Sequence, residues 1–314
     1  MTDPLASWKT GPVKSAILDF VDRVTLEESE DFVPPSERIA TFDNDGTLWC
    51  EQPMQVQVFF AQDRLNTLAE RDPSLRLRQP FKAFLDHDLK MIQQLGKRAV
   101  FETAFLAHAG ISETEFADVA QAWLATARHP KLARLFTQCV YQPQLELMDY
   151  LRARGFKIFI VSGGGIDLIR AFAEAVYGIP PEQVVGSSVK TRVSIDGDRF
   201  DLMKLPELGS FDDREVKVEN IGLHIGRRPI LAFGNSDGDL AMLRYTKAGP
   251  GARLALLLHH DDGEREFSYD RDFKLSPLAE ALDRAGDFGI QVVSMKRDWE
   301  QVFVCARERS SAAA

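Results

Sequence analysis

Three short stretches of this 314-residue chain combine acidic, hydroxyl or amide side chains with glycine, and each follows an apolar run. They read DNDGT at residues 43–47, SGGG at residues 162–165 and GNSDGD at residues 234–239. Carboxylates can act as nucleophiles, acids or metal ligands, and the free N–H groups of a glycine-rich turn at a helix start can bind an anion. Because ligands bind at the carboxyl ends of strands in open α/β sheets, we expect the three stretches to meet in one crevice.

The first stretch places two carboxylates, Asp43 and Asp45, directly after a predicted buried strand. Taken alone, this pattern is equally compatible with an ordinary Asx-rich turn and with a chemical site. A calcium-binding loop is excluded, because a loop starting at Asp43 needs glycine at the position of Leu48 and glutamate at the position of Met54.

The second and third stretches also have ordinary alternatives. The SGGG stretch is typical both of an anion site and of a tight turn, whereas a dinucleotide fingerprint is excluded because its third glycine falls on Leu168. A calcium loop starting at Asn235 is excluded by Leu240 and Thr246, which stand where glycine and glutamate are needed. Lys217, near the start of a predicted helix, is by itself no more than a surface charge.

Short apolar runs that alternate with helical patterns predict an α/β fold. Five runs are typical of buried strands: RIATFD, FKIFIVS, VVGSS, RPILAFG and RLALLLHH. A helical insertion is predicted over residues 55–154, where Ser112 and Glu115 form a capping box, and a hairpin is predicted around Asp196 and Gly197. The predicted fold class is therefore α/β, a doubly wound parallel sheet with helices on both faces and a helical insertion.

Taken together, the carboxylate pair, the hydroxyl-glycine turn, the lysine and the second acidic turn resemble the motifs of haloacid dehalogenase-type (HAD) phosphatases. DNDGT resembles the first motif, Ser162 the second, Lys217 the third and GNSDGD the fourth. The resemblance implies a Rossmann-like core domain of residues 1–48 and 150–314 and a helical cap domain of residues 49–149. A cap after the first motif is similar to that of phosphoserine-phosphatase-like members.

This resemblance also implies a mechanism. Asp43 attacks the phosphorus atom of a phosphomonoester and forms an aspartyl-phosphate, which is a known form of covalent carboxylate catalysis. Asp45 protonates the leaving oxygen and then activates water, a role that requires a raised pKa. The phosphoryl oxygens are held by hydrogen-bond donors and a cation: Ser162, the backbone N–H groups of Gly163 and Gly164, and Lys217.

Mg²⁺ is the implied cofactor, because a cation must offset the repulsion between a carboxylate and an anionic phosphate. Its implied ligands are the Asp43 carboxylate, the Asp45 backbone carbonyl and a side-chain oxygen of the fourth motif. That motif departs from the commoner family pattern, since Asn235 stands where many relatives have aspartate. We expect Asn235 to bind the metal directly and Asp239 to contact the metal's ligands rather than the metal itself. The alternative is that Asp239, or else Asp237, is the direct ligand.

Other candidate metal-binding side chains give weaker patterns. The run HHDD at residues 259–262 resembles a metal patch, but neighbouring residues on a strand point to opposite faces, which favours a strand-end turn. Cys50, Cys139 and Cys305 are odd in number and far apart, so they predict neither a disulfide framework nor a CxxC metal pair.

Two features of the insertion could contribute to a pocket. Phe101, Phe105 and His108 share one helical face and are expected to pack in the cap core, with a pocket wall as the alternative. Glu51 lies one residue short of the position at which phosphoserine phosphatases have a substrate-binding acidic residue. Phosphoserine is therefore not implied as the substrate.

The composition describes a folded, acidic protein. Hydrophobic residues make up 45% and charged residues 27% of the chain, which excludes a disordered protein. The 38 basic and 47 acidic residues give a net charge of −9, which disfavours nucleic acid and anionic membranes as partners. No apolar run approaches the roughly 18 residues of a membrane-spanning helix, and the first residues do not resemble a signal peptide. We therefore expect a cytoplasmic protein.

The leading hypothesis is a Mg²⁺-dependent phosphatase that acts on a small organic phosphomonoester. Transfer of the phosphoryl group to an acceptor other than water would use the same residues and is an alternative. Dehalogenation of a 2-haloacid needs neither a metal nor an acid such as Asp45. The presence of Asp45 and of the fourth motif therefore argues against it. A non-catalytic phosphate-binding module typically lacks the nucleophile or the acid, whereas this chain has both. The sequence predicts neither the substrate nor the oligomeric state.

Overall fold

The computed structural model describes residues 3–304, and its strands form one sheet of eight strands. Cys305 lies outside the described residues. The strands are β1 (Ile39–Phe42), β2 (Lys157–Gly165), β3 (Val184–Asp196), β4 (Arg199–Ser210), β5 (Leu231–Gly234), β6 (Leu254–Asp261), β7 (Ser268–Tyr269) and β8 (Gln291–Ser294).

The strand order β4-β3-β2-β1-β5-β6-β7 places β1 at the centre, and β8 pairs with β6 off this path. Strands β3, β2, β1, β5, β6 and β8 are parallel, whereas β4 and β7 are antiparallel to their neighbours. Ala40 of β1 lies opposite Ile158 of β2 on one side and Leu231 of β5 on the other. The carboxyl ends of these three strands, which carry the predicted motifs, therefore lie side by side.

The α-helices within the described residues are α1 (Pro12–Thr25), α2 (Val56–Arg71), α3 (Phe81–Leu85), α4 (Leu89–Leu95), α5 (Lys97–Leu106), α6 (Glu113–Leu124), α7 (Gln142–Ala153), α8 (Ile166–Tyr177), α9 (Glu215–Asn220), α10 (Leu240–Lys247), α11 (Glu280–Arg284) and α12 (Met295–Asp298). No helix within residues 3–304 is both long and apolar enough to span a membrane.

Helices cover both faces of the sheet, as the doubly wound fold predicts. Leu231 and Phe233 of β5 belong to a buried cluster with α1, α7 and α8, whereas Ala232 between them belongs to a second cluster with α10 and α11. Successive residues of a strand point to opposite faces, so a continuous apolar run such as β5 is buried on both sides.

Helices α2 to α6 form the predicted insertion between β1 and β2. Part of it has its own buried cluster, which includes Val58, Phe84 and Val100 but also Phe273 from the segment after β7. Ser112 precedes α6 and its hydroxyl accepts the N–H of Glu115, which satisfies one of the free donors at the helix start.

The two ends of the insertion lie next to each other on the core. The Cys50 N–H donates to the Cys139 carbonyl (3.0 Å), and the Tyr141 N–H donates to the Leu48 carbonyl (2.9 Å). The following helix, α7, packs in the same cluster as β1 and β2. The cap of residues 49–149 stays a prediction, and we propose that the core resumes before α7, at about Tyr141.

Strands β3 and β4 form one continuous hairpin that is longer than the sequence pattern predicts. Its turn contains Gly197 at φ +59°, a conformation that favours glycine. The hairpin reaches the cap, because the Gly110 N–H donates to the Lys204 carbonyl and the Lys204 N–H donates to the Ile111 carbonyl, both at 2.9 Å. The region after the second motif thus forms a β-ribbon, and no second helical cap is found within the described residues.

Candidate active site

The predicted nucleophile, Asp43, lies immediately after β1. Its backbone stays in register with β5, because the Asp43 N–H donates to the Phe233 carbonyl (2.9 Å). The chain then turns tightly, and the Leu48 N–H donates back to the Asn44 carbonyl (2.8 Å). The turn brings the side chains of Asp43 and Asp45 to the same cavity.

Lys217 of α9 is the buried cation of the site. Its ammonium group donates to Asp43 Oδ1 (2.7 Å), to Asp239 Oδ1 (2.6 Å) and to the Val161 carbonyl (2.8 Å), which uses all three of its protons. Burial alone would lower the pKa of Lys217, but the charges of Asp239 and Asp43 outweigh burial and raise the pKa above its usual value. The lysine is therefore cationic.

Both carboxyl groups of the first motif have raised pKa values. Burial raises the pKa of Asp43 to about 7; the charge of Asp239 adds to this effect and Lys217 opposes it. Burial also raises the pKa of Asp45, although the indole N–H of Trp49 donates to Asp45 Oδ1 (2.8 Å) and opposes the rise. A positioned carboxyl group with a raised pKa is suited to donate a proton near neutral pH.

The end of β2 brings the predicted anion-binding residues to the same cavity. Ser162, Gly163 and Gly164 line it together with the two carboxyl groups. Ser162 is fully buried, and its hydroxyl accepts the Gly164 N–H (3.0 Å). The next residue, Gly165, donates its N–H to Gln57 Oε1 of α2 (2.6 Å), which ties this turn to the cap.

The fourth motif directs its two aspartates in different directions. Asp239 Oδ2 accepts the backbone N–H groups of Asn235 (2.9 Å) and Ser236 (3.0 Å), while its Oδ1 is bound by Lys217. Asp237 instead accepts two backbone N–H groups next to and within α11, both at 2.9 Å. Asp237 therefore stabilises the start of a helix, and Asp239 stabilises the motif loop and Lys217.

The Asn235 side chain connects the first and fourth motifs. Its Oδ1 accepts from Thr47 Oγ1 (3.1 Å), which also lies 3.3 Å from Asp43 Oδ2. Its Nδ2 donates to Glu51 Oε1 (2.8 Å). Glu51 is fully buried, and burial together with the charges of Asp45 and Asp43 raises its pKa well above the usual range.

The donor set fits a hard cation that prefers oxygen ligands. A carboxylate oxygen of Asp43 and the amide oxygen of Asn235 converge on the Thr47 hydroxyl. Three carboxyl groups are buried in this region, Asp43, Glu51 and Asp239, and the half-buried Asp45 lies with Asp43 and Asp239 at the same cavity. A divalent cation would offset this excess of negative charge. Residues 3–304 contain no group of three or more His, Cys, Asp or Glu side chains placed to hold a metal ion, so the site needs amide and backbone oxygens as well.

The cap adds residues that the sequence patterns did not reveal. Lys97, the first residue of α5, donates to Asp213 Oδ1 (2.6 Å). Burial lowers the pKa of Lys97, but Asp213 outweighs burial and raises it. A Cβ atom placed on Gly163 would lie 3.4 Å from Lys97 Nζ, so the ammonium group is next to the predicted anion site. Gln55 and Phe101 also line the cavity.

The cavity between cap and core is narrow, with only about 10 Å³ of space open to a water-sized molecule. All predicted site residues except Asn235 line it. Phe101 forms part of its wall, whereas His108 stacks on Phe60 inside the cap, with ring centroids 4.4 Å apart. The helical face that carries Phe101 and His108 therefore contributes both to the pocket wall and to the cap core.

The HHDD run stabilises the turn of the first motif and does not form a metal patch. His260 is buried, and its Nε2 donates to the Gly46 carbonyl (2.7 Å), while its Nδ1 lies 3.2 Å from Glu266 Oε2. Asp262 pairs with Arg265. His260 thus holds the turn that carries the first motif, and its neighbours stabilise the strand end.

A family model of haloacid dehalogenase-like hydrolases matches residues 40–244 of the chain. The matched region contains all four motif segments together with the cap. A search of curated proteins found no similar sequence.

Solved structures of several proteins are similar to this fold. A conserved protein of unknown function from Anaerococcus prevotii DSM 20548 has 16% sequence identity and a TM-score of 0.56, covering 90% of this chain and 91% of that chain. A protein of unknown function from Bordetella pertussis Tohama I has 16% identity and a TM-score of 0.52, covering 82% and 98%. A phosphoserine phosphohydrolase-like protein from Francisella tularensis subsp. tularensis SCHU S4 has 17% identity and a TM-score of 0.41, covering 80% and 98%. The first two similarities show a shared fold.

We predict that Gly46→Ala destabilises the protein more than Gly197→Ala, by about 1–3 kcal/mol. Both glycines have positive φ, +79° and +59°, so both variants place alanine in an unfavourable left-handed conformation. Only at Gly46 would the new Cβ clash, with Asn235 Nδ2 and Glu51 Oε1; nothing lies within 4 Å at Gly197. Denaturant unfolding of both variants measures the difference, and equal losses would contradict the prediction.

Proposed function

The chain belongs to the haloacid dehalogenase-like hydrolase family, and on this basis we propose that it is a Mg²⁺-dependent phosphatase. It hydrolyses a small organic phosphomonoester through an aspartyl-phosphate. The observation that carries the proposal is the contact of Lys217 with Asp43 (2.7 Å) in a cavity that Asp45 also lines. A nucleophile, an acid and a phosphate-binding cation are then available within one enclosed space.

In the first step, an oxygen of Asp43 forms a bond to phosphorus while the bond from phosphorus to the ester oxygen breaks. Lys217 favours the ionised, nucleophilic form of Asp43 by donating to its Oδ1. Asp45 gives its proton to the leaving oxygen, so the organic product leaves as an alcohol. The Trp49 indole, bound to Asp45 Oδ1, fixes the orientation of this acid.

In the second step, water attacks the phosphorus atom of the aspartyl-phosphate. Asp45, now ionised, takes a proton from this water, and the bond from phosphorus to the Asp43 oxygen breaks. Inorganic phosphate leaves, and both carboxyl groups return to their initial protonation states. The burial that raises the pKa of Asp45 suits it to both halves of the cycle.

We assign the phosphoryl oxygens to the Ser162 hydroxyl and to backbone N–H groups of Gly163 and Gly164. Lys217 attracts the phosphoryl group through its charge, because its three protons are already donated to Asp43, Val161 and Asp239. Lys97 is an additional cation for the same group, because its ammonium group is adjacent to Gly163 and approaches from the cap. Positioned donors and cations of this kind typically contribute a few kcal/mol each to transition-state stabilisation.

Mg²⁺ would neutralise charge between the attacking carboxylate and the phosphoryl oxygens. Its proposed protein ligands are the Asp43 carboxylate, the Asp45 backbone carbonyl and Asn235 Oδ1. Asp239 is better suited to positioning Lys217 than to binding the metal, since Lys217 and two backbone N–H groups already occupy its oxygens. Direct ligation by Asp239 is the alternative.

The substrate we propose is a small phosphorylated alcohol that also carries a hydrogen-bond donor. The narrow space between cap and core favours a small leaving group. Gln55 donates its Nε2 to Glu51 and Ser276, which leaves its buried Oε1 without a partner among the described residues. That oxygen is an acceptor for a hydroxyl or ammonium group of the substrate. A cytoplasmic location and the absence of a nucleic-acid partner stay predictions.

Phosphoryl transfer to an acceptor alcohol is the second candidate function, because the same residues would serve it. Adding alcohols to the assay distinguishes the two: a transferase forms a new phosphoester, whereas a hydrolase releases one phosphate per substrate consumed.

We predict that Asp43→Asn lowers phosphate release by more than about 10³-fold, because an amide is nearly isosteric with the carboxylate but a poor nucleophile. The test is a phosphate-release screen over a panel of small phosphate esters. Asp19→Asn, an exposed position on α1, is the matched control and should retain activity. Wild-type release by Asp43→Asn would overturn the assignment of the nucleophile.

Chelation with EDTA should remove activity, and added Mg²⁺ should restore it. Ca²⁺ should restore it poorly, because Ca²⁺ takes more ligands at longer distances and disturbs in-line attack. Phosphate release is measured after chelation and after each metal is added back. Full phosphate release after exhaustive chelation would overturn the proposed Mg²⁺ requirement.

We predict that Lys97→Met weakens inhibition by inorganic phosphate by about tenfold or more, which corresponds to a loss of about 1.4 kcal/mol or more. Lys97→Arg should keep part of the affinity because it keeps the charge. Arg98→Met is the matched control, since Arg98 is the next residue on α5 and its side chain is exposed. An unchanged inhibition constant in Lys97→Met would show that the cap lysine does not bind phosphate.

A further inference from the structure

The pairing of β2 with β3 changes register at the proposed phosphate-binding turn. The shift skips two residues of β2, Gly163 and Gly164, which form a bulge between the last paired residues of the two strands. Backbone groups in a bulge lose their regular hydrogen bonds between strands, and where they are buried they need other partners. The conformation of this turn therefore depends on groups outside the regular sheet pattern.

The Ser187 side chain supplies such a partner. Ser187 lies on β3 and is fully buried, and its hydroxyl donates to the Gly163 carbonyl (2.8 Å). The same hydroxyl accepts the backbone N–H of Asp212 (2.9 Å). An N–H group can only donate and a carbonyl can only accept, so the hydroxyl proton points at Gly163. No chemical step proposed above uses Ser187.

This hydrogen bond fixes the orientation of the peptide unit between Gly163 and Gly164. The unit is trans, so the Gly163 carbonyl and the Gly164 N–H lie in one plane and point in opposite directions. With the carbonyl held by Ser187, the Gly164 N–H points the other way and donates to the hydroxyl of Ser162 (3.0 Å), a residue of the cavity wall. Ser187 thus directs towards the cavity an N–H group that we assign to a phosphoryl oxygen.

The peptide unit needs this support because glycine lies on both sides of it. Glycine populates positive and negative φ about equally, so the chain itself restricts the rotation of a diglycine unit only weakly. Without the hydroxyl, the Gly163 carbonyl would be a buried acceptor that has lost its donor. The Lys97 ammonium group, 3.4 Å from a Cβ atom placed on Gly163, is a donor to which the freed carbonyl could turn. A rotated unit would present its carbonyl oxygen to the anion instead of the N–H group.

We propose that Ser187 is a positioning residue for phosphate binding. Its hydroxyl holds the Gly163 carbonyl on the side of β3 and so presents the Gly164 N–H to the phosphoryl group. The proposal rests on the phosphate site of the proposed function, and it adds a residue that acts only through the backbone of the turn. A donor that is already aligned with the phosphoryl oxygens needs no reorganisation during the reaction.

The test uses full-length protein labelled with ¹⁵N-glycine, with Mg²⁺ present and inorganic phosphate as the probe. In the wild type, phosphate should shift the amide resonance of Gly164. In Ser187→Ala this shift should be lost, because the N–H group is no longer held towards the cavity. The phosphate dissociation constant, measured by calorimetry, should rise by about tenfold, as expected for the loss of one hydrogen bond to a charged group.

Ser294→Ala is the matched control, because it removes an equivalent hydroxyl from another part of the sheet. Ser294 is 6% exposed, and its hydroxyl also accepts one backbone N–H, from Arg297, and donates one hydrogen bond, to Asp261. It lies on β8, which β1, β5 and β6 separate from β2. Its unfolding midpoint should fall as in Ser187→Ala, whereas its phosphate affinity should stay at the wild-type value. Equal weakening of phosphate binding in both variants would show that lost stability is the cause and would overturn the proposal.

Ser187→Cys is a milder variant, because the thiol has a similar shape but is a weak donor. It should weaken phosphate binding less than Ser187→Ala, and it replaces that variant if Ser187→Ala does not fold. Unchanged phosphate affinity and an unchanged Gly164 shift in a folded Ser187 variant would overturn the proposal and leave the proposed function in place. Wild-type protein that binds no phosphate would instead refute the phosphate site of the proposed function, and the role of Ser187 with it.

Discussion

The structure depends on how the buried charge of Lys217 is satisfied. An ammonium group without water needs acceptors around it, and its three come from three different strand ends: Asp43 after β1, the Val161 carbonyl in β2 and Asp239 after β5. These contacts are formed with β1 between β2 and β5, which is the observed strand order. The loss of either carboxylate would leave part of the charge unpaired. The same contacts that make the site therefore also connect three neighbouring strands of the sheet.

Much of the fold could be predicted from sequence because its signals are local. The apolar runs of β1, β2, β5 and β6, the helical insertion and the motif spacing all depend on nearby residues, and parallel strands bring their carboxyl ends to one edge. Short elements such as β7, with two residues, have no usable period. Spacing also did not show which aspartate of the fourth motif turns inward: Asp239 binds Lys217, whereas Asp237 stabilises the start of α11.

Residues whose roles the sequence patterns did not predict act through contacts between distant segments. Lys97 meets Asp213 only because the cap folds over the core, and Glu51 meets Asn235 only after the whole sheet has formed. His260 resembled part of a metal patch, and it proves to be a support for the Gly46 carbonyl. In each case the residue type was visible in the sequence, but its partner depends on tertiary packing.

The junction between cap and core separates Asp45 and its support from the residues that the cap contributes to the cavity. Trp49, which holds Asp45, stacks on Phe172 of α8 with ring centroids 4.5 Å apart, so the acid is anchored to the core. The connection to the cap begins only after it, and Lys97 and Gln55 lie beyond that point. Displacement of the cap would carry Lys97 and Gln55 away and leave Asp43 and Asp45 in place. Under the proposed function, a sequence change in the cap would alter which molecule is held while the two aspartates stay in position, which leaves specificity free to drift during evolution.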